Sequence, residues 1–255
     1  MSIDRRTFLG AAGLSALAIA AKSSLVVLAQ GEQRETAIGI QPATRWAMVI
    51  DSAKCLKDQG CTDCIAACNK THNVPQFTEE AHEVKWIWKE SFDKAFPDQL
   101  SQYTEATMKE RPFTVLCNHC DSPPCVRVCP TKATWKRQDG IVMMDWHRCI
   151  GCRYCVAACP YGSRSFNWVD PRPHIKELNQ DFPTRTKGVV EKCNFCEERL
   201  AKGQQPACVV GCPEKALVFG NLEDPKSEVR ELLRNRYTIR RKPELGTQPQ
   251  IYYIV

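Results

Sequence analysis

Residues Cys149–Pro160 read Cys-Ile-Gly-Cys-Arg-Tyr-Cys-Val-Ala-Ala-Cys-Pro, four cysteines and a proline within twelve positions. Cys149, Cys152 and Cys155 are each separated by two residues, and Cys159 follows after three. A structural zinc ion is gripped by Cys-x-x-Cys pairs well apart in sequence, each covering one side of a tetrahedron. Three cysteines in close succession instead curl around one face of a larger core and leave its last ligand to come from elsewhere. Thiolates with sulfide bridges suit iron better than hard cations. The stretch therefore predicts a [4Fe-4S] cluster on Cys149, Cys152 and Cys155.

In two-cluster ferredoxins the fourth cysteine of such a run, followed by proline, ligates the other cluster. Val156-Ala157-Ala158 are small and apolar enough to begin a helix leading away from the first cluster. Pro160 stops that helix, because its ring cannot continue one. Pro130 and Pro213 hold the same place after Cys129 and Cys212, whereas Asn69 follows Cys68.

The chain has 255 residues and sixteen cysteines, and the other twelve repeat the pattern. They fall into Cys55, Cys61, Cys64, Cys68; Cys117, Cys120, Cys125, Cys129; and Cys193, Cys196, Cys208, Cys212. The gaps differ informatively. Gly60 is expected to supply unusual backbone angles in the wide loop before Cys61. Pro123-Pro124 stiffens the second motif, and the long gap after Cys196 is read as a helical turn closed by Gly203. Every ligand position is cysteine, so no three-iron centre is indicated. Four quartets give four [4Fe-4S] clusters. Disulfides offer no reason for this spacing, and a structural zinc scaffold is the competing class.

The formal net charge is +6, two units of it from Arg5, Arg6 and Lys22 against Asp4. Each cluster with its four thiolates adds about two negative charges, which turns the loaded protein mildly acidic. No basic run is interleaved with aromatics, which argues against nucleic-acid binding. The N-terminus, with Arg5-Arg6, Phe8-Leu9 and an apolar stretch to Ala21, resembles a twin-arginine translocation signal. That route implies export of the folded chain to the periplasmic face of the membrane, with cleavage expected after Ala29. Leu25 to Ala29 extend the apolar run past Lys22, and a retained anchor is the alternative.

Short apolar stretches at 45–50, 113–116, 140–145, 188–191 and 216–220 read as strands, and Asp139-Gly140 as a hairpin turn. Motifs two and three then form one ferredoxin unit, leaving motifs one and four for another. The expected fold is α+β, with two nested bacterial-type ferredoxin units. The inner unit is 113–187; the outer is 30–112 with 188–255, which ends from Pro243 in an extended arm or, equally, in a segment folded back on its own core. Trp86 and Trp88 share one face of a strand, either as a docking surface or as a cover over the clusters. His119 and His147 are assigned structural roles rather than ligation. Lys192, Arg148 and Arg127 are candidates for raising a cluster potential, with solvated surface positions as the alternative.

The motif order resembles the four-cluster iron-sulfur subunits of the molybdopterin oxidoreductase and polysulfide reductase group, in which the first motif pairs with the fourth and the second with the third. The stretches 116–173 and 187–209 are most similar to the exported iron-sulfur subunits of Dsr sulfite-reduction-associated membrane complexes, the DsrO type. This resemblance implies a non-catalytic electron-transfer subunit. It further implies an integral quinone-interacting membrane subunit of polysulfide-reductase type and a multihaem cytochrome c as partners. The iron-sulfur subunit of a molybdenum enzyme or of a nitrite-reducing system is the runner-up. The implied ligand sets are Cys55, Cys61, Cys64 with Cys212; Cys193, Cys196, Cys208 with Cys68; Cys117, Cys120, Cys125 with Cys159; and Cys149, Cys152, Cys155 with Cys129.

Overall fold

The structure, a computed structural model, describes residues 44–58 and 60–255. The twin-arginine segment, the cleavage point and residues 30–43 of the expected outer unit lie outside them. The strands are β1 (Trp46–Asp51), β2 (Ile87–Ser91), β3 (Pro112–Leu116), β4 (Thr134–Lys136), β5 (Val142–Met144), β6 (Ser165–Phe166), β7 (Val190–Glu191), β8 (Leu217–Asn221), β9 (Thr238–Ile239) and β10 (Ile251–Ile254). Short helices and long loops join them, giving mixed α+β content. Each apolar stretch picked out from the sequence contributes one of these strands.

The largest sheet has the order β8-β1-β10-β9, with β1 and β10 parallel and the other pairs antiparallel. Side chains alternate across a strand. Ala47 and Val49 of β1, with Ile254, accordingly face the helix Glu228–Asn235 and its buried Val229. Met48, Ile50, Ile251 and Tyr253 face the main core, where Trp46 stacks on Phe219. That helix starts where the Ser227 hydroxyl accepts from the Arg230 amide, a capping contact that satisfies an otherwise orphaned donor.

Three two-stranded ladders complete the framework. β4 and β5 form the expected hairpin, with Gly140 in the left-handed region at its turn. β2 pairs with β3, and β6 pairs with β7. These two ladders join segments on either side of the 112/113 and 187/188 boundaries, and residues 43–255 form one compact unit.

Two readings are corrected here. Gly60 does not have a positive φ, so the wide first loop is closed without left-handed glycine geometry; the Gly60 amide instead donates to Asp58 Oδ1. The C-terminal segment is not an outlying arm. β10 lies in the middle of the sheet, with Ile251 and Tyr253 wholly buried. Its approach is tied to the second motif: Asp121 and Ser122 amides donate to the Gln248 and Thr247 carbonyls, and the Gln250 amide donates to the Asn118 carbonyl. An apolar Ile-Tyr-Tyr-Ile strand has more to gain between β1 and β9 than in water.

Trp86 and Trp88 are both buried, which makes them a cover and not a docking surface. Trp86 donates to Glu191 Oε2 and stacks on His72. Glu191 also pairs with Arg185 at 2.6 Å, both side chains being almost fully buried. Arg185 in turn donates to the carbonyls of His72 and Asn73. A buried pair so completely bonded positions segments 72–86, 183–185 and 190–192 together, although such pairs add little net stability over apolar packing. Among the described residues no helix is long and apolar enough to cross a membrane.

Candidate metal centres

The cysteine loops are shaped by backbone turns that repeat along the chain. Two residues after the first cysteine of motifs two, three and four, at His119, Gly151 and Phe195, φ is positive. Three residues after the fourth cysteine, at Lys132, Gly162 and Lys215, it is positive again. The first motif lacks both turns. There the helix Asp63–Thr71 runs past Cys68, which is what Asn69 in place of proline allows. Gly151 also permits a close approach: a Cβ there would meet the Gly188 carbonyl oxygen at 2.4 Å. At Gly211, just before Cys212, a Cβ would meet that of Ala67 at 2.6 Å, so glycine lets the fourth motif lie against the helix of the first.

All sixteen cysteines are free, and thiols of different motifs come near one another. Burial pushes Cys64 up to about 12, helped by the neighbouring thiolates of Cys55, Cys212 and Cys61. Burial likewise raises Cys68, whose neighbours are Cys193, Cys208 and Cys196. Cys120 is pushed up to about 12 by burial and by Cys117, Cys125 and Cys159. Cys129 packs in the apolar cluster that holds Cys149, Cys155 and Cys125. Cys68 and Cys212 thus lie near cysteines of another motif, and Cys129 packs beside cysteines of the third motif as well as Cys125 of its own. Cys159 lies near those of the second.

The groups adjoin in a definite order. Cys64 lies near Cys68 and Cys208, Cys117 lies near Cys193, and Cys125 lies near Cys155. Taken as the ligand sets that the resemblance implies, the groups follow one another as Cys55/61/64/212, Cys68/193/196/208, Cys117/120/125/159 and Cys129/149/152/155. The second group is buried throughout, as is all of the third except Cys159. At one end Cys55, Cys61 and Cys212 are half-buried, and at the other Cys152 is exposed. A surface groove lined by Lys54, Val209, Cys212, Lys215 and Phe219 opens at the first end. Exposed Ile150 and Tyr154 frame the second.

Donors converge on the sulfurs. Amides of Phe195, Ala207 and Ala216 reach Cys193, Cys196 and Cys212 at 3.4, 3.3 and 3.2 Å. Burial opposes ionisation of Cys129, yet the amides of Thr134, Ala133 and Thr131 and the Thr131 hydroxyl hold it below the usual thiol range. Such bonds favour the thiolate, the form in which cysteine ligates metal. Cys117, Cys120, Cys125, Cys159, Val142 and Arg164 line one pocket. Free, converging thiols with amides aimed at them are a donor set that fits iron-sulfur clusters.

His119 is engaged by protein groups. Burial first, then the charges of Lys192, Arg45 and Arg164, hold His119 well below its usual range and so neutral. Its Nδ1 accepts from the Val142 amide, and its ring stacks on Phe195 at 3.7 Å. His147 is exposed. Of the candidate tuning cations, Arg148 and Arg127 are exposed. Lys192 is buried, with its ammonium donating to the Cys193 carbonyl.

Two side chains stand out that the motifs did not indicate. His72 lies 3.6 Å from Cys68 Sγ and pairs with Glu198 at 2.9 Å. With Cys196 these residues bring ligand atoms within 4.8 Å of one another, but Cys196 already belongs to the second group, which the trio borders. Arg164 is buried with one nitrogen 3.1 Å from Cys125 Sγ. Its signal was faint: an arginine five residues after Cys159, outside every motif.

The 4Fe-4S dicluster domain matches residues 109–172 and 178–222. An iron-sulfur subunit of an Hdr-like menaquinol oxidoreductase from Archaeoglobus fulgidus is 41% identical over 98% of this chain and 97% of its own. The chain belongs to the family of 4Fe-4S dicluster iron-sulfur subunits. The iron-sulfur cluster-binding subunit of menaquinone reductase from Nitratidesulfovibrio vulgaris is 37% identical, over 82% of this chain and 88% of its own. The B subunit of polysulfide reductase from Wolinella succinogenes is 35% identical, over 83% and 95%. This dicluster subunit is ferredoxin-like, takes [4Fe-4S] clusters, and transfers electrons without being catalytic itself.

Proposed function

We propose that this subunit carries four [4Fe-4S] clusters in a line and relays electrons between a membrane quinone-interacting subunit and a cytochrome or other redox partner. The observation that carries the reading is the gradient of exposure along the four thiol groups: buried in the middle, open at both ends. Bound clusters supply one-electron redox chemistry. The chain's own part is to ligate, to exclude water from the middle groups, and to leave one group at each end within reach of a partner. The ligand sets are the crossed ones of the nested arrangement, supported by the neighbours of Cys64, Cys68 and Cys120. Quinone as the membrane reductant or oxidant draws support from relatives named for menaquinol and menaquinone. The sulfite-reduction-associated setting rests on the resemblance of stretches 116–173 and 187–209 to DsrO-type subunits.

The test is anaerobic purification with the membrane partners, followed by metal and acid-labile sulfide analysis and electron paramagnetic resonance after addition of menaquinol. About sixteen irons and sixteen sulfides per chain are expected for four cubanes, with signals that respond to the quinol. Stoichiometric zinc without sulfide, or clusters indifferent to quinol, overturns the reading.

The chain acts at the extracytoplasmic face, reached through the twin-arginine route. Changing Arg5 and Arg6 together to lysine is expected to strand iron-loaded chain in the cytoplasm, measured by fractionation. Undiminished periplasmic accumulation would remove this part of the proposal.

A further inference from the structure

Arg164 occupies a position no cysteine motif accounts for. It is 4% exposed, in a chain whose other arginines near cysteines mostly face solvent or aromatic rings. One terminal nitrogen donates to Cys125 Sγ at 3.1 Å and to Thr134 Oγ1 at 2.7 Å, and the other approaches Met144 Sδ at 3.7 Å. Cys155 packs in the same cluster as Cys125 and Met144, and the Arg164 charge acts on its thiol. A single guanidinium thus bonds a sulfur of the third thiol group and lies beside one of the fourth.

The chemistry of the group makes this contact consequential. Guanidinium is not deprotonated in proteins, so its charge is permanent. Burial keeps water and salt from screening it. Each loaded cluster with its thiolates is already anionic, and reduction adds another negative charge. Two such groups in contact repel, and the repulsion grows as either is reduced. A fixed cation between them offsets that repulsion and favours the reduced form of both. The alternatives do not do this: Arg153 lies over the rings of Phe166 and Trp168, and the Lys192 ammonium bonds to a backbone carbonyl.

We propose that Arg164 is the potential-setting residue of the Cys117/120/125/159 and Cys129/149/152/155 clusters, a positioning charge shared between them that keeps both reducible. The proposal rests on the four-cluster reading above. It assigns the larger effect to the cluster of Cys125, whose sulfur receives the short bond. Thr134, on β4, holds the guanidinium in place from the hairpin side, so the framework and not the cysteine loop fixes where the charge sits.

The experiment is a redox titration of the purified full-length protein monitored by electron paramagnetic resonance, with iron and sulfide content measured alongside. In Arg164→Gln two of the four signals are expected to become at least about tenfold harder to reduce, equal to about 59 mV for one electron. The other two are expected to stay where they were. A loaded Arg164→Gln with unmoved potentials, or with all four signals shifted alike, overturns the proposal. If Arg164→Gln loses iron, Arg164→Lys decides: restored iron with both signals within about threefold of wild type supports the shared charge, and iron still absent shows that guanidinium packing is what matters. Absence of cubane signals from the wild-type protein would instead remove the four-cluster reading itself.

Discussion

Cys159→Ser is expected to damage the cluster bounded by Cys117, Cys120 and Cys125 and to spare the one bounded by Cys149, Cys152 and Cys155, although Cys159 belongs to the latter motif. The reasoning is spatial. The short helix Tyr154–Ala158 carries the chain away from the third-motif loop, and Cys159 ends it with extended backbone. Burial raises the Cys159 thiol, and the thiolates that raise it further are Cys117 and Cys125, both of the second motif. A serine oxygen is a harder, poorer partner for iron than thiolate. The expected loss is one cubane, about four irons per chain, or its conversion to a signal of altered shape. Cys129→Ser is the reciprocal variant, expected to affect the Cys149/152/155 cluster. Iron analysis counts the loss, and paramagnetic resonance identifies which signal disappears. Should Cys159→Ser and a Cys149→Ser variant remove the same signal, the crossed sets and the nested arrangement built on them both fall.

Removing residues 248–255 is expected to unfold the sheet that backs the first and second thiol groups, not merely to loosen attachment to a partner. The segment supplies β10, which pairs with β1 on one side and β9 on the other. Ile251, Tyr253 and Ile254 are almost completely buried. Withdrawing three such side chains forfeits roughly 1.5–3 kcal/mol each, which together approaches the 5–15 kcal/mol that separates a folded domain from its unfolded chain. Lost ladder bonds to β1 and β9, and loss of the Gln248 carbonyl that accepts from the Asp121 amide, add to the cost. The single change Tyr253→Ala should cost about 3–5 kcal/mol, as for other large aromatic truncations. Thermal unfolding and iron content check both. A truncated chain that keeps its full iron and its melting temperature would show the strand to be dispensable.

The cysteine motifs and most of the strands were legible because each depends on residues close in sequence. Cys-x-x-Cys-x-x-Cys is a local geometry, and Pro160, Pro130 and Pro213 end their runs wherever they lie in the fold. The absence of proline at Asn69 even signalled where the repeated turns stop, since the first-motif helix continues to Thr71. Asp139-Gly140 marked its hairpin for the same local reason.

What lay outside the reach of spacing was contact between distant segments. Nothing near Ile251–Ile254 said that it would fill a gap between β1 and β9, and an isolated strand of that composition is equally at home as an arm. Spacing left Trp86 and Trp88 as either a cover or a docking surface; burial decided, with Trp86 bonded to Glu191 more than a hundred positions away. Arg164 and His72 acquired roles through sulfurs and carboxylates brought to them by packing. Sequence by itself determined the sixteen thiols, their division into triads with a fourth member, and hence the class of cofactor, because ligand chemistry and loop closure act over a few residues. Tertiary structure decided which thiols are buried, which distant cysteines lie near one another, and where a fixed charge sits among them, because burial and electrostatics depend on every segment that closes around a point in space.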